Sequence, residues 1–270
     1  MSLPSAAEFT RRGVADHRNA LAGWCVGAIA YIVVIAAIFP SFASSGSLDK
    51  LVQSYPDVLK SLFGISGSGS LSSGAGFLDA ELFSFMLPLI VLVLTIGSGA
   101  RTFAGEEDAG RLELLLAYPV RRRDAVVAKG GAVGVETVAV CLAAGLALAI
   151  SNPIFDLGLS ASHVVQAVSG LALLGLLFGW LALAIGAATG KHGVAVALPA
   201  GLAAGSYLVS GLHSLAGWLD PLRFLSVFWW IGTSPLQHGI RGVGALVVGL
   251  AAVAVLGTGA ALVGRRDLAT

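Results

Sequence analysis

The chain has 270 residues, of which 56% are hydrophobic and only 11% are charged, whereas an ordinary soluble domain carries about 25% charged residues. With 36 glycines added, too few polar side chains remain to cover a water-facing surface, so a soluble globular enzyme is excluded. The formal net charge of +1 leaves no basic footprint for nucleic acid. Cys25 and Cys141 both lie in apolar runs, which indicates buried thiols rather than a disulfide framework.

Six apolar runs are long enough to cross a bilayer core, which takes about 20 residues of helix. In chain order they cover residues 21–39, 82–99, 126–150, 164–188, 194–215 and 243–263. None has the alternation of polar and apolar residues that a membrane β-strand requires. The sequence therefore predicts an all-α polytopic membrane protein, with residues 1–270 in a single transmembrane domain. Glycine pairs four residues apart predict close helix packing at Gly130/Gly134, Gly175/Gly179 and Gly201/Gly205.

The distribution of Lys and Arg predicts the orientation, because short cytoplasmic loops retain these residues. If the N-terminus lies inside, twelve of the 16 Lys and Arg fall in cytoplasmic segments. The other four, which fall outside, are Lys50, Lys60, Arg223 and Arg241. Both termini are thus predicted to be cytoplasmic, in a multi-pass protein of the cytoplasmic membrane.

Three segments outside the spans have their own character. Residues 1–20 are predicted to form either a short amphipathic helix at the cytoplasmic surface or a simple positively charged anchor. Residues 40–79 form an outer loop, in which apolar residues at helical spacing between Leu51 and Phe63 precede a Gly/Ser-rich tether over 64–76. Residues 216–241 contain three Trp and two Phe, which predicts an outer segment at the membrane interface.

The cytoplasmic loop over residues 100–125 departs most from the rest of the chain. It carries ten charges within ARTFAGEEDAGRLELLLAYPVRRRD, around an apolar stripe at i, i+3 and i+4 formed by Leu112, Leu115 and Leu116. Gly110 and Pro119 delimit a helix of one or two turns. Such a helix is suited to docking into another protein, and it is equally suited to packing its leucines against the ends of the chain's own helices.

The loop GEEDAGRLELLLAYPVRRRDAVVAK resembles the signature of ABC-2 type transporter permeases, in which an acidic pair, a Leu-Glu-Leu-Leu run, a proline and a basic cluster link the second and third spans. The segment YPDVLKSLFG and the aromatic outer segment match the same family, and together they look most like the branch of polyketide-antibiotic and drug exporters. Arg111 departs from the pattern, because the family usually has a small polar residue there.

The resemblance implies a six-span permease whose loop forms a coupling helix in a cleft of a separate ATP-binding subunit, present in two copies. Carried onto this chain, the contact surface would be Glu106, Glu107, Gly110, Arg111, Leu112, Glu113, Leu115 and Leu116. The return into the membrane would be set by Pro119, Arg121, Arg122 and Arg123. Mg²⁺-ATP would bind the partner subunits and no cofactor would bind this chain. A second permease, identical or related, would complete the transporter within the membrane lipid.

Catalytic motifs are missing from the sequence. No G-x-x-x-x-G-K-[ST] phosphate loop, H-E-x-x-H or G-x-S-x-G occurs, so the chain is predicted to be a non-catalytic membrane subunit without a metal site. Polar residues within or near the spans are the candidates for a translocation pathway: Glu136, Gln166, Tyr207 and Ser210. Glu136 faces the pathway, pairs with Lys129, or is hydrated near the headgroups.

The predicted function is export of a hydrophobic or amphipathic substrate, drug-like, antibiotic-like or lipid, driven by a separate ATPase docked on residues 100–125. The alternative is an ion- or proton-coupled secondary transporter without an ATPase partner. That class typically has sequence repeats and charges at the bilayer midplane, and Glu136 is the one candidate for such a charge.

Overall fold

The computed structural model describes residues 6–45, 54–62, 71, 73–102, 122–213, 215 and 218–263, and these ranges contain helices and no strand. In chain order the elements are α1 (Ala6–Ser45), α2 (Asp57–Leu62), α3 (Gly74–Ala100), α4 (Arg122–Ile154), α5 (Ala161–Thr189), α6 (His192–Leu212), a 3-10 turn (Asp220–Leu225), α7 (Val227–Ile231), α8 (Pro235–His238) and α9 (Gly242–Val263). Six of them, α1, α3, α4, α5, α6 and α9, are long and apolar enough to cross a membrane. The predicted fold class and all six predicted spans are confirmed.

Helix α5 lies at the centre of the bundle and packs against α3, α4, α6 and α9. In the most apolar part of each span, 67% of the residues of α3 and 56% of those of α5 are buried, against 17% in α1 and 22% in each of α6 and α9. The interior is thus built around α3 and α5. The other spans leave apolar faces uncovered, which suits contact with lipid or with another membrane chain.

The apolar core has two main parts. One joins α1, α3, α4 and α5 through residues such as Ile32, Leu82 and Leu148, none of which is exposed. The second joins α3, α5, α6, α7 and α9, with Leu174 and Phe178 near its centre. We name the end of the bundle where α3, α5 and α9 begin the outer end and the opposite end the inner end, after the predicted orientation.

Glycines allow close approach at the crossing of α3 and α5, where no hydrophobic effect pulls membrane helices together. A Cβ atom on Gly99 would collide with the carbonyl oxygen of Gly179, and one on Gly175 would lie 2.6 Å from Val91 Cγ1. By contrast, nothing lies within 4 Å of the Cβ positions of Gly201 and Gly205. The predicted glycine packing therefore holds for Gly175/Gly179, whereas the α6 pair faces open space.

The N-terminal segment continues directly into the first span. The 40 residues of α1 form one continuous helix, about 60 Å long at 1.5 Å per residue, twice the thickness of a bilayer core. Within α1 the proline is Pro40, near the end of the helix, so no proline forces a break between residues 6–20 and the span.

Two described parts of the predicted outer loop are helical. The short helix α2 confirms part of the predicted helical run, and it packs against α6. Ser73 caps α3 by accepting a hydrogen bond from the Gly76 N–H, so Gly74, Ala75 and Gly76 belong to the helix rather than to a tether.

Candidate functional site

A buried polar cluster joins α3 to α4 at the inner end. Ser98 Oγ donates a hydrogen bond to Oε2 of Glu136, and Lys129 Nζ donates to the carbonyl oxygen of Thr102 over 2.5 Å. The Thr102 hydroxyl donates in turn to the carbonyl oxygen of Ser98. Glu136 is only 4% exposed, and a carboxylate at that depth needs such donors because desolvation penalises it. We call these four residues the inner clamp.

The inner clamp stands on both sides of the cytoplasmic loop. Thr102 is the last described residue before the undescribed stretch 103–121 of the loop, and Lys129 lies in the second turn of α4 after that stretch. Trp180 Nε1 extends the connection to α5, because it donates to the Gly130 carbonyl oxygen over 2.9 Å. Hydrogen bonds therefore connect α3, α4 and α5 at the end of the bundle that carries the loop.

The predicted docking residues lie almost entirely outside the described residues. This applies to Glu106, Glu107, Gly110, Arg111, Leu112, Glu113, Leu115, Leu116, Pro119 and Arg121. Arg122 is the first residue of α4, and Arg123 is exposed beside it. The assignment of these residues to a docking surface stays a prediction.

A second polar cluster holds the outer segment in place. Asp79, at the start of a π-helical stretch within α3, is 2% exposed. Its carboxylate accepts hydrogen bonds from the backbone N–H of Leu236 over 2.9 Å and of Gln237 over 3.0 Å. The Gln237 side-chain amide donates to it as well, over 3.4 Å. One carboxylate thus accepts hydrogen bonds from two backbone N–H groups in the first turn of α8, more than 150 residues further along the chain.

Helix α5 fixes the same outer segment from its other side. His163 Nδ1 donates to the carbonyl oxygen of Leu236 over 3.0 Å, and Gln166 Oε1 accepts from the Ile240 N–H over 3.2 Å. Gly239 lies between Leu236 and Ile240 in the sequence and has φ +72°, which favours glycine. A Cβ atom at this position would collide with Gln166 Oε1. We call Asp79, His163 and Gln166 with the segment 235–240 the outer clamp.

The end of α6 holds α7 through polar and aromatic contacts. Ser226 Oγ donates to the Ser206 carbonyl oxygen over 2.7 Å, and Ser206 Oγ accepts from the Val227 N–H over 2.8 Å. Tyr207 lies between two aromatic rings, with centroid distances of 5.6 Å to Phe85 and 5.5 Å to Phe228. The outer segment is therefore attached to α3, α5 and α6 at once.

The four candidate pathway residues do not meet in one place. Glu136 belongs to the inner clamp, so it is buried and hydrogen-bonded rather than hydrated among headgroups. Gln166 belongs to the outer clamp. Tyr207 and Ser210 lie on α6, where Ser210 is buried and its carbonyl oxygen accepts from His213 Nδ1 over 2.9 Å. A role for any of them in a pathway stays a prediction.

Sequence reasoning missed Ser98 and Asp79 as structural partners. Asp79 is the last residue of the predicted outer loop. Its hydrogen-bond donors are backbone N–H groups, which every residue except proline has, so the sequence does not identify them. Ser98 is one serine among many until its distance to Glu136 is known. A useful signal was an acidic residue placed directly at the start of an apolar run, because such a carboxylate needs a partner.

Two spaces of very different size lie among the described residues: a small cavity between helices and an open apolar groove of about 440 Å³ on α4, lined by Gly131, Gly134, Val135, Val138, Ala139 and Leu142. A cavity of about 30 Å³ lies between α3, α5 and α7, lined by Phe83, Ala167, Leu171 and Phe228 among others. That is space for about one water molecule, so a drug-sized molecule does not fit there. Within the described ranges no three His, Cys, Asp or Glu side chains converge as a metal site requires.

Six apolar spans, buried polar clamps at both ends and uncovered helix faces define a multi-pass α-helical membrane protein. The chain matches over residues 14–266 the family model described as multidrug efflux system permease Rv1217c, C-terminal domain. Because this match covers most of the 270 residues, the chain belongs to that permease family. A search of curated proteins returned no match.

Proposed function

We propose that this chain is the transmembrane permease subunit of an ABC-2 type exporter. It moves a hydrophobic or amphipathic substrate, drug-like, antibiotic-like or lipid, across the cytoplasmic membrane. A separate ATPase subunit docks on residues 100–125, and Mg²⁺-ATP is bound and hydrolysed there. Membership in a family of multidrug efflux permeases supports the efflux direction and the substrate class. The charged loop with its leucine stripe supports the docking.

The inner clamp is the observation that carries this proposal. A motor acting on a loop does work on the membrane part only if the ends of the loop are fixed to helices that move together. The hydrogen bonds of Ser98 to Glu136 and of Lys129 to Thr102 provide that attachment. ATP-driven closure of the ATPases pushes the loop, and the clamp transmits the push into α3, α4 and α5. Linkage is reciprocal, so substrate in the pathway changes the ATPase equilibrium.

A second permease subunit, identical or related, completes the pathway. The cavity inside one copy holds about one water, and the faces of α6 and α9 remain mostly uncovered. A pathway between two copies uses such faces, which one copy leaves open. Two ATPase subunits then serve two loops.

Replacing Leu112, Leu115 and Leu116 with serine tests the docking. The triple variant is expected to insert into the membrane and to lose co-purification with the native ATPase, because the apolar surface of the coupling helix is removed. Leu225, which is 76% exposed in the outer segment, provides the control: Leu225→Ser keeps the complex. A triple variant that still co-purifies and still couples ATP hydrolysis to transport contradicts the docking assignment.

A further inference from the structure

A buried hydroxyl lies next to the inner clamp without a hydrogen-bond partner. Thr95 of α3 is 0% exposed, and among the described residues no donor or acceptor lies within hydrogen-bond distance of its Oγ1 atom. Most buried side-chain hydroxyls are hydrogen-bonded, because an unpartnered one has lost its water without a replacement. The Thr95 hydroxyl therefore destabilises the state that this structure shows.

Thr95 and Ser98 are three residues apart on α3, so they are neighbours on one helix face, one turn apart. Contacts with α5 place Thr95 at the junction of the three helices. A Cβ atom on Gly175 would lie 3.2 Å from the Thr95 methyl carbon and 2.8 Å from that of Thr137, and Thr137 follows Glu136 directly in α4. The unpartnered hydroxyl thus lies one turn of α3 nearer the outer end than the hydroxyl that binds Glu136.

Packing alone gives no reason for a hydroxyl at position 95. Valine has almost the same shape as threonine and carries no polar atom to be satisfied at a fully buried position. The neighbouring interior residues of α3 are apolar, as at Val91, Leu94 and Ile96. A hydroxyl among them indicates a hydrogen bond in another state of the protein.

The surroundings of Thr95 suit a shift of α3 along its neighbours. From α5 it meets glycines, with the Cβ position of Gly179 3.0 Å from Thr95 Cβ, so no α5 side chain at Gly175 or Gly179 blocks the shift. Lys129, which joins α4 to the end of α3, has a flexible four-carbon side chain that follows a displacement of a few ångströms.

We propose that Thr95 is the second hydrogen-bonding position of Glu136, used in the other state of the transport cycle. α4 moves by three residues of α3, about 4.5 Å, towards the outer end. Glu136 then leaves Ser98 and accepts a hydrogen bond from Thr95 Oγ1. The two helices stay attached in both states, and only the register between them changes, as in other switches in which one element passes another by a turn. The inference rests on the proposed function, because it assigns the two positions to two states of an exporter.

Thr95→Val tests the proposal, because it removes the hydroxyl and keeps the shape of the side chain. The free energy of unfolding of the full chain in micelles is expected to stay the same or to rise, since the hydroxyl has no partner in this state. ATP-driven transport by the complex with the native ATPase, in inverted membrane vesicles, is expected to fall about ten-fold, because Glu136 lacks its donor in the other state. Thr95→Ser restores the hydroxyl and is expected to restore transport.

Thr137→Val is the matched control. Thr137 is likewise 0% exposed at the same junction, but its hydroxyl already donates to the Val133 carbonyl oxygen of its own helix over 2.7 Å. Its variant is expected to transport at close to the wild-type rate.

Four results overturn the proposal. Two concern position 95: wild-type transport by Thr95→Val, or no recovery of transport in Thr95→Ser. The third is an equal loss of transport in Thr137→Val, which means that any buried hydroxyl at the junction matters. The fourth is a loss of stability in Thr95→Val as large as that in Ser98→Ala, which means that the hydroxyl already has a partner in this state.

Failure of the proposed function gives a different result. Wild-type vesicles then show no ATP-driven transport and take up substrate only under a proton gradient. The same variants are compared with the wild type under that gradient, so the outcome for Thr95 does not depend on the ATPase.

Discussion

Glu136 and Asp79 are both buried carboxylates, and each is satisfied in a different way. Glu136 accepts from a side-chain hydroxyl of the neighbouring span, whereas Asp79 accepts from two backbone N–H groups of α8. Each therefore joins segments that are distant in sequence. Removing a partner of such a buried group leaves a desolvated polar atom, which costs more than the hydrogen bond itself contributes.

Ser98→Ala tests the inner clamp. The change is expected to lower the free energy of unfolding by about 1–3 kcal/mol, because a buried carboxylate loses a donor. Denaturant titration of the protein in detergent micelles measures it. Ser169→Ala is the control, since Ser169 is exposed and its hydroxyl donates to the Val165 carbonyl oxygen of its own helix. Equal effects of the two substitutions contradict a special role for Ser98.

Asp79→Ala tests the outer clamp. The N–H groups of Leu236 and Gln237 lose their acceptor, so α8 is expected to detach more often from α3. A cysteine placed at position 236, which is 2% exposed as leucine, should then react with maleimide several-fold faster in a chain without other cysteines. Glu81→Gln changes an exposed carboxylate of the same helix. If Glu81→Gln also speeds the labelling, the effect of Asp79→Ala does not come from the loss of the outer clamp.

At the scale of elements, α3 is the most specialised span. It consists of an α-helical start (Gly74–Leu78), a π-helical stretch (Asp79–Met86) and an α-helical remainder (Leu87–Ala100). π-helical turns are rare and concentrate at functional sites. Here the stretch begins at Asp79, whose carbonyl oxygen accepts from Ser84 Oγ five residues later over 2.9 Å. The same helix carries the outer clamp at one end and the inner clamp at the other.

Gly99→Ala tests the crossing of α3 and α5. The added methyl group would collide with the Gly179 carbonyl oxygen, and backbone cannot move aside as a side chain can. Overpacking of this kind costs about 1–3 kcal/mol, measured as the free energy of unfolding in micelles. Gly205→Ala, which has nothing within 4 Å, is expected to be neutral or slightly stabilising because alanine favours helix. Tolerance of both substitutions contradicts the close crossing.

Spans are the part of the fold that the sequence predicts well, because about 20 consecutive apolar residues have few other stable environments. Their ends are predicted less well. The second span was predicted to begin at residue 82, and its helix begins at Gly74. Glycines and an acidic residue are typical of loops, and the hydrogen bonds that Ser73 and Asp79 accept from backbone N–H groups cannot be recognised in the sequence. The clamps themselves could not be predicted, because they depend on pairings between residues far apart in the chain.

At the scale of the whole molecule, the two clamps hold opposite ends of the bundle against the same central helices. The inner clamp lies beside the charged loop, and the outer clamp fixes the aromatic segment to α3 and α5. Both ends of α3 and α5 are thus held by hydrogen bonds to other elements. Of the predicted site, the structure describes the attachment of the loop rather than its docking surface.

The proposal of an ATP-driven exporter is tested most directly by transport of a fluorescent hydrophobic cation into inverted membrane vesicles that contain the chain with its native ATPase. Transport is expected to require ATP, to stop when the ATPase is omitted, and to continue when a protonophore abolishes the proton gradient. Transport that persists without ATP and ATPase, and that the protonophore abolishes, contradicts the account and identifies the chain as a secondary transporter.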